Sequence, residues 1–146
     1  MGVESEGRIA VWSDLVVAHD RLMKEFQVEL KTEFDLTVPQ YDALLRLAQA
    51  DGRTLRMGEV ADALLFSSGA ATKVFDRLVE RGLVERGADP NDRRTVLVGL
   101  TEDGRKLFQR AQRAHGESIN AKVGPFASAE ERRHVEAFLK RLSTHN

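Results

Sequence analysis

The chain has 146 residues, 42% of them hydrophobic and 31% charged, with a formal net charge of −1 and a pI of about 6.4. That supports one domain, or two small lobes sharing a core, of ordinary soluble composition. No apolar run nears a bilayer's width and no secretory signal is visible, so a cytoplasmic location is expected; the lack of cysteine excludes disulfides, thiolate metal sites and thiol redox sensing.

Trp12, Leu15, His19, Leu22, Phe26 and Leu30 recur at three- and four-residue spacing. This predicts a long amphipathic first helix from about Ile9 to Phe34. Thr37 is a good N-cap, and Pro39 suits the first turn of a second helix carrying Tyr41, Leu44, Leu45 and Leu47. Asp51-Gly52 ends that helix, and Thr54-Leu55-Arg56 is a candidate short strand. A third helix is expected from Met57 or Gly58 to Leu65, with Val60, Ala61 and Leu64 inward. Ser67 caps a fourth, which runs to Arg81 and stops at a left-handed Gly82. Its buried face is Ala71, Val74, Phe75 and Leu78, while Ser68, Ala70, Lys73 and Arg77 project the other way.

From Leu83 to Leu100 two short apolar runs flank a loop of Asp89, Pro90, Asn91 and Asp92, with Arg93 and Arg94 at its far edge. These residue types favour a turn, so the segment reads as a β-hairpin with a charged tip. Thr101 then caps a fifth helix, with Glu102 and Asp103 favourably placed at its positive end, and the helix continues towards Val123. Gly124-Pro125 breaks the chain. Ser128-Ala129-Glu130-Glu131 is a capping box opening a last helix, whose apolar face is Val135, Phe138, Leu139 and Leu142.

The expected fold class is mainly α with a small β-hairpin wing: a winged helix-turn-helix plus a helical dimerisation region. Residues 37–100 would form the DNA-binding lobe of a single 1–146 domain, and 9–34 and 101–144 the dimerisation helices. In such a module the helix before the hairpin enters a major groove and the wing lies beside it. The overall charge runs against this, because the usual footprint is basic. The segment from Arg53 to Arg94 has eight basic and seven acidic residues. The balance is favourable only if Asp62, Asp76 and Glu80 lie on or near packing faces while Lys73, Arg77, Arg93 and Arg94 face the groove. The first and last helices each carry an apolar stripe that so small a domain cannot cover alone, so a homodimer is expected.

Asp92-Arg93-Arg94, then Val96, Val98, Leu100-Thr101 and Gly104, resemble the wing signature of the MarR family. Asp76-Arg77-Leu78 followed by Gly82-Leu83-Val84 resembles that family's recognition helix and its exit, and Leu36-Thr37-Val38-Pro39-Gln40-Tyr41 its approach to the second helix. The resemblance covers nearly the whole chain. It implies a homodimeric repressor or activator, here expected to be a repressor, that binds a palindromic operator and is released by a small molecule. Ser68, Gly69, Ala70, Thr72, Lys73 and Arg77 match the base-contacting helix, and Arg93 or Arg94 would enter the minor groove. Asp92 matches the wing aspartate that holds the loop by pairing with an arginine. Gly69-Ala70-Ala71 is poor in hydrogen-bonding side chains, so Ser68, Thr72 and Lys73 would carry more of the readout, helped by DNA shape.

The family's effector pocket lies between the dimer helices and the DNA-binding lobe, where Trp12, His19, Tyr41 and Phe108 are expected to meet. For Trp12 and Phe108 the alternative is plain dimer-interface core. The four histidines, at His19, His115, His134 and His145, are scattered, so no metal and no cofactor is expected. There is no phosphate-cradling glycine loop, H-E-x-x-H or nucleophile elbow, so nothing supports an enzyme. The competing non-enzymatic reading is a winged-helix module for protein–protein contacts without ligand response. That reading predicts a wing without basic residues and a neutral fourth helix, which is not what the sequence has.

Overall fold

Local capping chemistry sets most of the helix boundaries. The computed structural model describes residues 2–63 and 68–144. Helix α1 (Val3–Phe34) starts before Ile9, where the apolar pattern begins, because Glu4 and Glu6 in the first turn suit its positive end. It stops at Asp35, whose left-handed backbone (φ 52°) sends its N–H back to the carbonyls of Leu30 and Lys31. Thr37 Oγ1 accepts the Gln40 N–H at 3.2 Å, and Gln40 Oε1 accepts the Thr37 N–H at 2.9 Å. This reciprocal cap, with Pro39 in the first turn, opens α2 (Val38–Gln49). A short 3₁₀ turn (Asp51–Arg53) leads to strand β1 (Thr54–Arg56) and helix α3 (Met57–Ala63). The expected end of that helix at Leu64 and Leu65, and the expected cap at Ser67, lie outside the described residues.

Helix α4 (Ser68–Glu80) ends one residue before the expected Arg81. Gly82 is the left-handed stop at φ 68°. Its N–H donates to Val79 O at 2.9 Å and the Leu83 N–H to Leu78 O at 3.0 Å, which satisfies the last carbonyls of the helix. Strands β2 (Val84–Asp89) and β3 (Asp92–Leu100) form the hairpin, and β1 adds to the far side of β3, giving an antiparallel sheet in the order β1-β3-β2. Leu55 pairs with Val98, and Arg86 also with Val98 from the other side; a bulge at Ala88/Asp89 closes the turn. Helix α5 (Glu102–Val123) and α6 (Ala129–Thr144) complete the chain.

Residues Met1–Ala111 make one compact unit and Gln112–Asn146 another. The core of the first is built from Leu30, Leu36, Tyr41, Leu44, Leu47, Val60, Phe75, Leu78, Leu83, Val84, Val98 and Phe108. Each fully buried Leu or Phe there contributes roughly 1.5–3 kcal/mol. The junction of α4, the wing and α5 is especially tight. Thr101 Oγ1 donates to Gly82 O at 2.6 Å and accepts the Gly104 N–H at 3.0 Å, while the Thr101 N–H donates to Leu83 O at 3.1 Å. A Cβ on Gly104 would stand 1.9 Å from Leu83 O, so only glycine fits.

In the second unit, the Ser128 hydroxyl accepts the Glu131 N–H at 3.2 Å and Glu131 accepts the Ser128 N–H at 2.8 Å, the expected capping box. Val135, Phe138, Leu139 and Leu142 on α6 all remain exposed. An apolar groove of about 660 Å³ runs along Val123, Val135, Leu139 and Leu142.

Candidate nucleic-acid interface

Two faces of α4 are chemically distinct. Ala71, Phe75 and Leu78 are fully buried, and Val74 is half-buried. Gly69, Ala70, Thr72, Lys73 and Arg77 are exposed, so the periodicity that fills the core also presents these residues outward. Ser68 is the first residue of the helix. The wing stands next to this face, with Arg93 and Arg94 exposed at the start of β3.

The cations on this lobe fall into two groups. Arg86 Nη2 meets Asp76 Oδ1 at 2.6 Å, tying β2 to α4. Arg56 Nη2 meets Asp89 Oδ2 at 3.2 Å, tying β1 to the tip of β2. Arg77 Nη1 lies 3.3 Å from Glu80 Oε2 in a solvent-exposed pair. By contrast, among the described residues Lys73, Arg93 and Arg94 have no carboxylate partner. A groove of about 620 Å³ opens between Arg56 at the end of β1, Met57, Gly58 and Glu59 at the start of α3, Thr72 on α4, and Arg86, Arg94, Thr95 and Val96 on the wing.

The turn is organised by two carboxylates with different partners. Asp89, only 6% exposed, accepts the Asn91 N–H at 2.9 Å as well as the Arg56 guanidinium. Asp92 accepts the Arg94 N–H at 3.0 Å and the Thr95 hydroxyl at 2.8 Å. These donors hold its carboxyl below the ordinary aspartate value. The expected aspartate–arginine pair of the wing is therefore made by Asp89, whereas Asp92 holds the loop through hydrogen bonds to its own turn. The electrostatic expectation also needs correction: Asp62 and Glu80 are exposed, and only Asp76 is half-buried. Asp76, Glu80 and Asp89 are each met by an arginine.

The MarR family model matches residues 34–95, which span α2 to the wing. The chain is 32% identical over 123 residues to the multiple antibiotic resistance protein MarR of Escherichia coli (strain K12), covering 84% of this chain and 81% of that protein. The chain belongs to the MarR family. It is also 35% identical over 97 residues to the organic hydroperoxide resistance transcriptional regulator of Bacillus subtilis (strain 168), which covers 66% of this chain and 65% of that protein. Among solved structures it is similar to a mutant MarR from E. coli complexed with operator DNA, with a TM-score of 0.79, 26% identity and coverage of 97% of this chain and 99% of that one.

The residues expected to line an effector pocket are only partly brought together within one chain. The rings of Tyr41 and Phe108 lie 5.7 Å apart in the core, at 7% and 4% exposure. Burial pushes the Tyr41 hydroxyl's pKa up. Trp12 is 63% exposed, and His19 is exposed too. Trp12 lies 14 residues before the buried Phe26, about 21 Å along the helix axis. Among the described residues no cluster of three or more His, Asp or Glu could hold a metal, and no helix is long and apolar enough to cross a membrane. Arg56, Arg86 and Asp89 are the organising residues that the sequence reading missed. Their pairing crosses 33 positions for Arg56–Asp89 and 10 for Arg86–Asp76, with no short-range pattern to mark it.

Proposed function

We propose that this MarR-family chain is a DNA-binding transcriptional repressor that grips a palindromic operator as a homodimer and releases it when a small organic effector binds. The observation that carries this reading is the set of exposed, unpaired cations at Lys73, Arg93 and Arg94, beside carboxylate-paired neighbours. Cations left free on one helix face and its adjacent wing suit phosphates and base edges, because each contact releases condensed counterions. Ser68, Gly69, Ala70, Thr72, Lys73 and Arg77 would face the major groove, and Arg93 or Arg94 the minor groove. The E. coli relative of known structure was crystallised with operator DNA, which supports the same use of the fold here.

The dimer is supported by apolar surface left open in one chain: Ile9, Trp12 and Val16 on α1, and Val135, Phe138, Leu139 and Leu142 on α6. Patches of this kind on a soluble domain mark interfaces, and a two-fold dimer demands a two-fold operator. For the effector, the pocket of Trp12, His19, Tyr41 and Phe108 would be completed only by a second copy, because within one chain Trp12 and His19 stay exposed and apart from the buried Tyr41–Phe108 pair. With no cysteine in the chain, thiol oxidation cannot be the trigger. The test is an electrophoretic shift with DNA from upstream of the chain's own gene, repeated with phenolic and carboxylate metabolites. A shift abolished by one of them supports the full reading. A shift that no metabolite changes would remove the effector, and no shift at low salt would remove DNA binding.

A further inference from the structure

The last turn of α4 is fastened to the end of α1 by a side chain outside the DNA-facing set. Arg81 Nη1 donates to Asp35 O at 2.6 Å, and Arg81 Nη2 donates to Phe34 O at 3.1 Å. These two acceptors are carbonyls at the C-terminal end of α1, which lack helical partners and carry the negative end of its dipole. They are presented together because Asp35 adopts a left-handed backbone there. A planar guanidinium presents two N–H groups to both in a preorganised fork; an ammonium on a flexible stem must be ordered to do the same. The next two residues bind the other side: the carbonyls of Gly82 and Leu83 accept from Thr101 at the start of α5. The C-terminus of α4 is thus held between two long helices.

We propose that Arg81 is a positioning residue: it sets the pose of the recognition helix by bracing it against the end of α1, so that movement of α1 reaches the DNA-facing helix directly. This rests on the DNA-binding reading for its functional consequence, but the brace itself is testable without DNA.

Because the chain has no cysteine, introduced cysteines report cleanly. Spin labels at Val28→Cys on α1 and Ala70→Cys at the start of α4 give a narrow distance distribution in the otherwise unchanged protein. Arg81→Ala broadens it, and Arg81→Lys narrows it only partly. An unchanged distribution in Arg81→Ala overturns the brace, whatever the protein does with DNA. Operator binding is measured across salt with unlabelled protein. Arg81→Ala lowers affinity on the order of tenfold with an unchanged salt slope, because preorganisation is lost and no phosphate contact is. Arg77→Ala, placed at the interface, lowers the slope by about one per lost contact. A slope loss in Arg81→Ala would make Arg81 a phosphate contact and overturn the positioning role. Failure of the unsubstituted protein to bind DNA would sink the DNA-binding reading alone.

Discussion

Asp89 and Asp92 are three residues apart in the wing, yet their roles separate cleanly. Asp89 is buried and accepts from both the exposed Arg56 guanidinium and the part-buried Asn91 N–H, so Asp89→Ala removes the acceptor for both and loosens the tip of β2. Leaving a partly buried polar group without its partner costs about 1–3 kcal/mol, expected as a lower melting temperature and weaker operator binding. A melting curve like that of the unsubstituted protein would show that the pair carries no weight. Asp92 is exposed, and its carboxyl is held below the usual 3.8 first by the Arg94 N–H and then by the Thr95 hydroxyl. A carboxylate with a lowered folded-state pKa stabilises above its unfolded value and loses that contribution as acid reprotonates it. Its titration therefore leaves the wing unchanged between about pH 5 and 8. A carbon-detected NMR titration should place the Asp92 midpoint under 3.8; a midpoint above it would mean that the turn hydrogen bonds are absent in solution. At Lys73 the expected effect is on sequence preference. If it donates to guanine, Lys73→Ala relaxes selection at particular base pairs by roughly 1–3 kcal/mol. An unchanged motif in a randomised-operator selection would leave Lys73 a phosphate anchor.

At the scale of elements, boundaries were legible wherever their signal is local. The Thr37/Gln40 and Ser128/Glu131 caps, the Gly82 stop and the Thr101 cap each lie within a few residues of what they organise, and each forms as its chemistry suggests. The start of α1 was misplaced because Val3 to Arg8 lacks an apolar stripe, although its acidic first turn was visible. The Arg56–Asp89 and Arg81–Asp35 contacts were illegible because strand pairing and helix packing bring their partners together from 33 and 46 positions away. The candidate interface was legible as a helix face plus a wing; which cations are free and which are paired was not. The tightest junction gives a clear prediction. Gly104→Ala forces a methyl into Leu83 O, so the variant should lose about 1–3 kcal/mol of stability or rearrange the start of α5. Chemical denaturation with an unchanged midpoint would show that the backbone yields at no cost. On α6, Phe138→Glu or Leu142→Glu would place a charge on the apolar face proposed for dimerisation. Sedimentation should then show monomer or unfolded chain, and a dimer as tight as the original would move the interface elsewhere.

For the whole molecule, the balance to explain is a net charge of −1 in a chain read as binding a polyanion. Three ion pairs on the lobe occupy Asp76, Glu80 and Asp89, while Lys73, Arg93 and Arg94 on α4 and the wing have no carboxylate partner among the described residues. Such a protein should bind DNA modestly, with affinity falling as salt rises and a slope set by those few contacts. Fluorescence anisotropy of an inverted-repeat operator, titrated with the unsubstituted protein and with Arg94→Ala over a range of salt, tests this most directly. The expected result is saturation at two protomers per site, and a log–log salt slope that falls by about one per lost contact in the variant. Absence of binding at low salt, or equal slopes and affinities for the two proteins, would contradict the assignment of α4 and the wing as a DNA-binding surface.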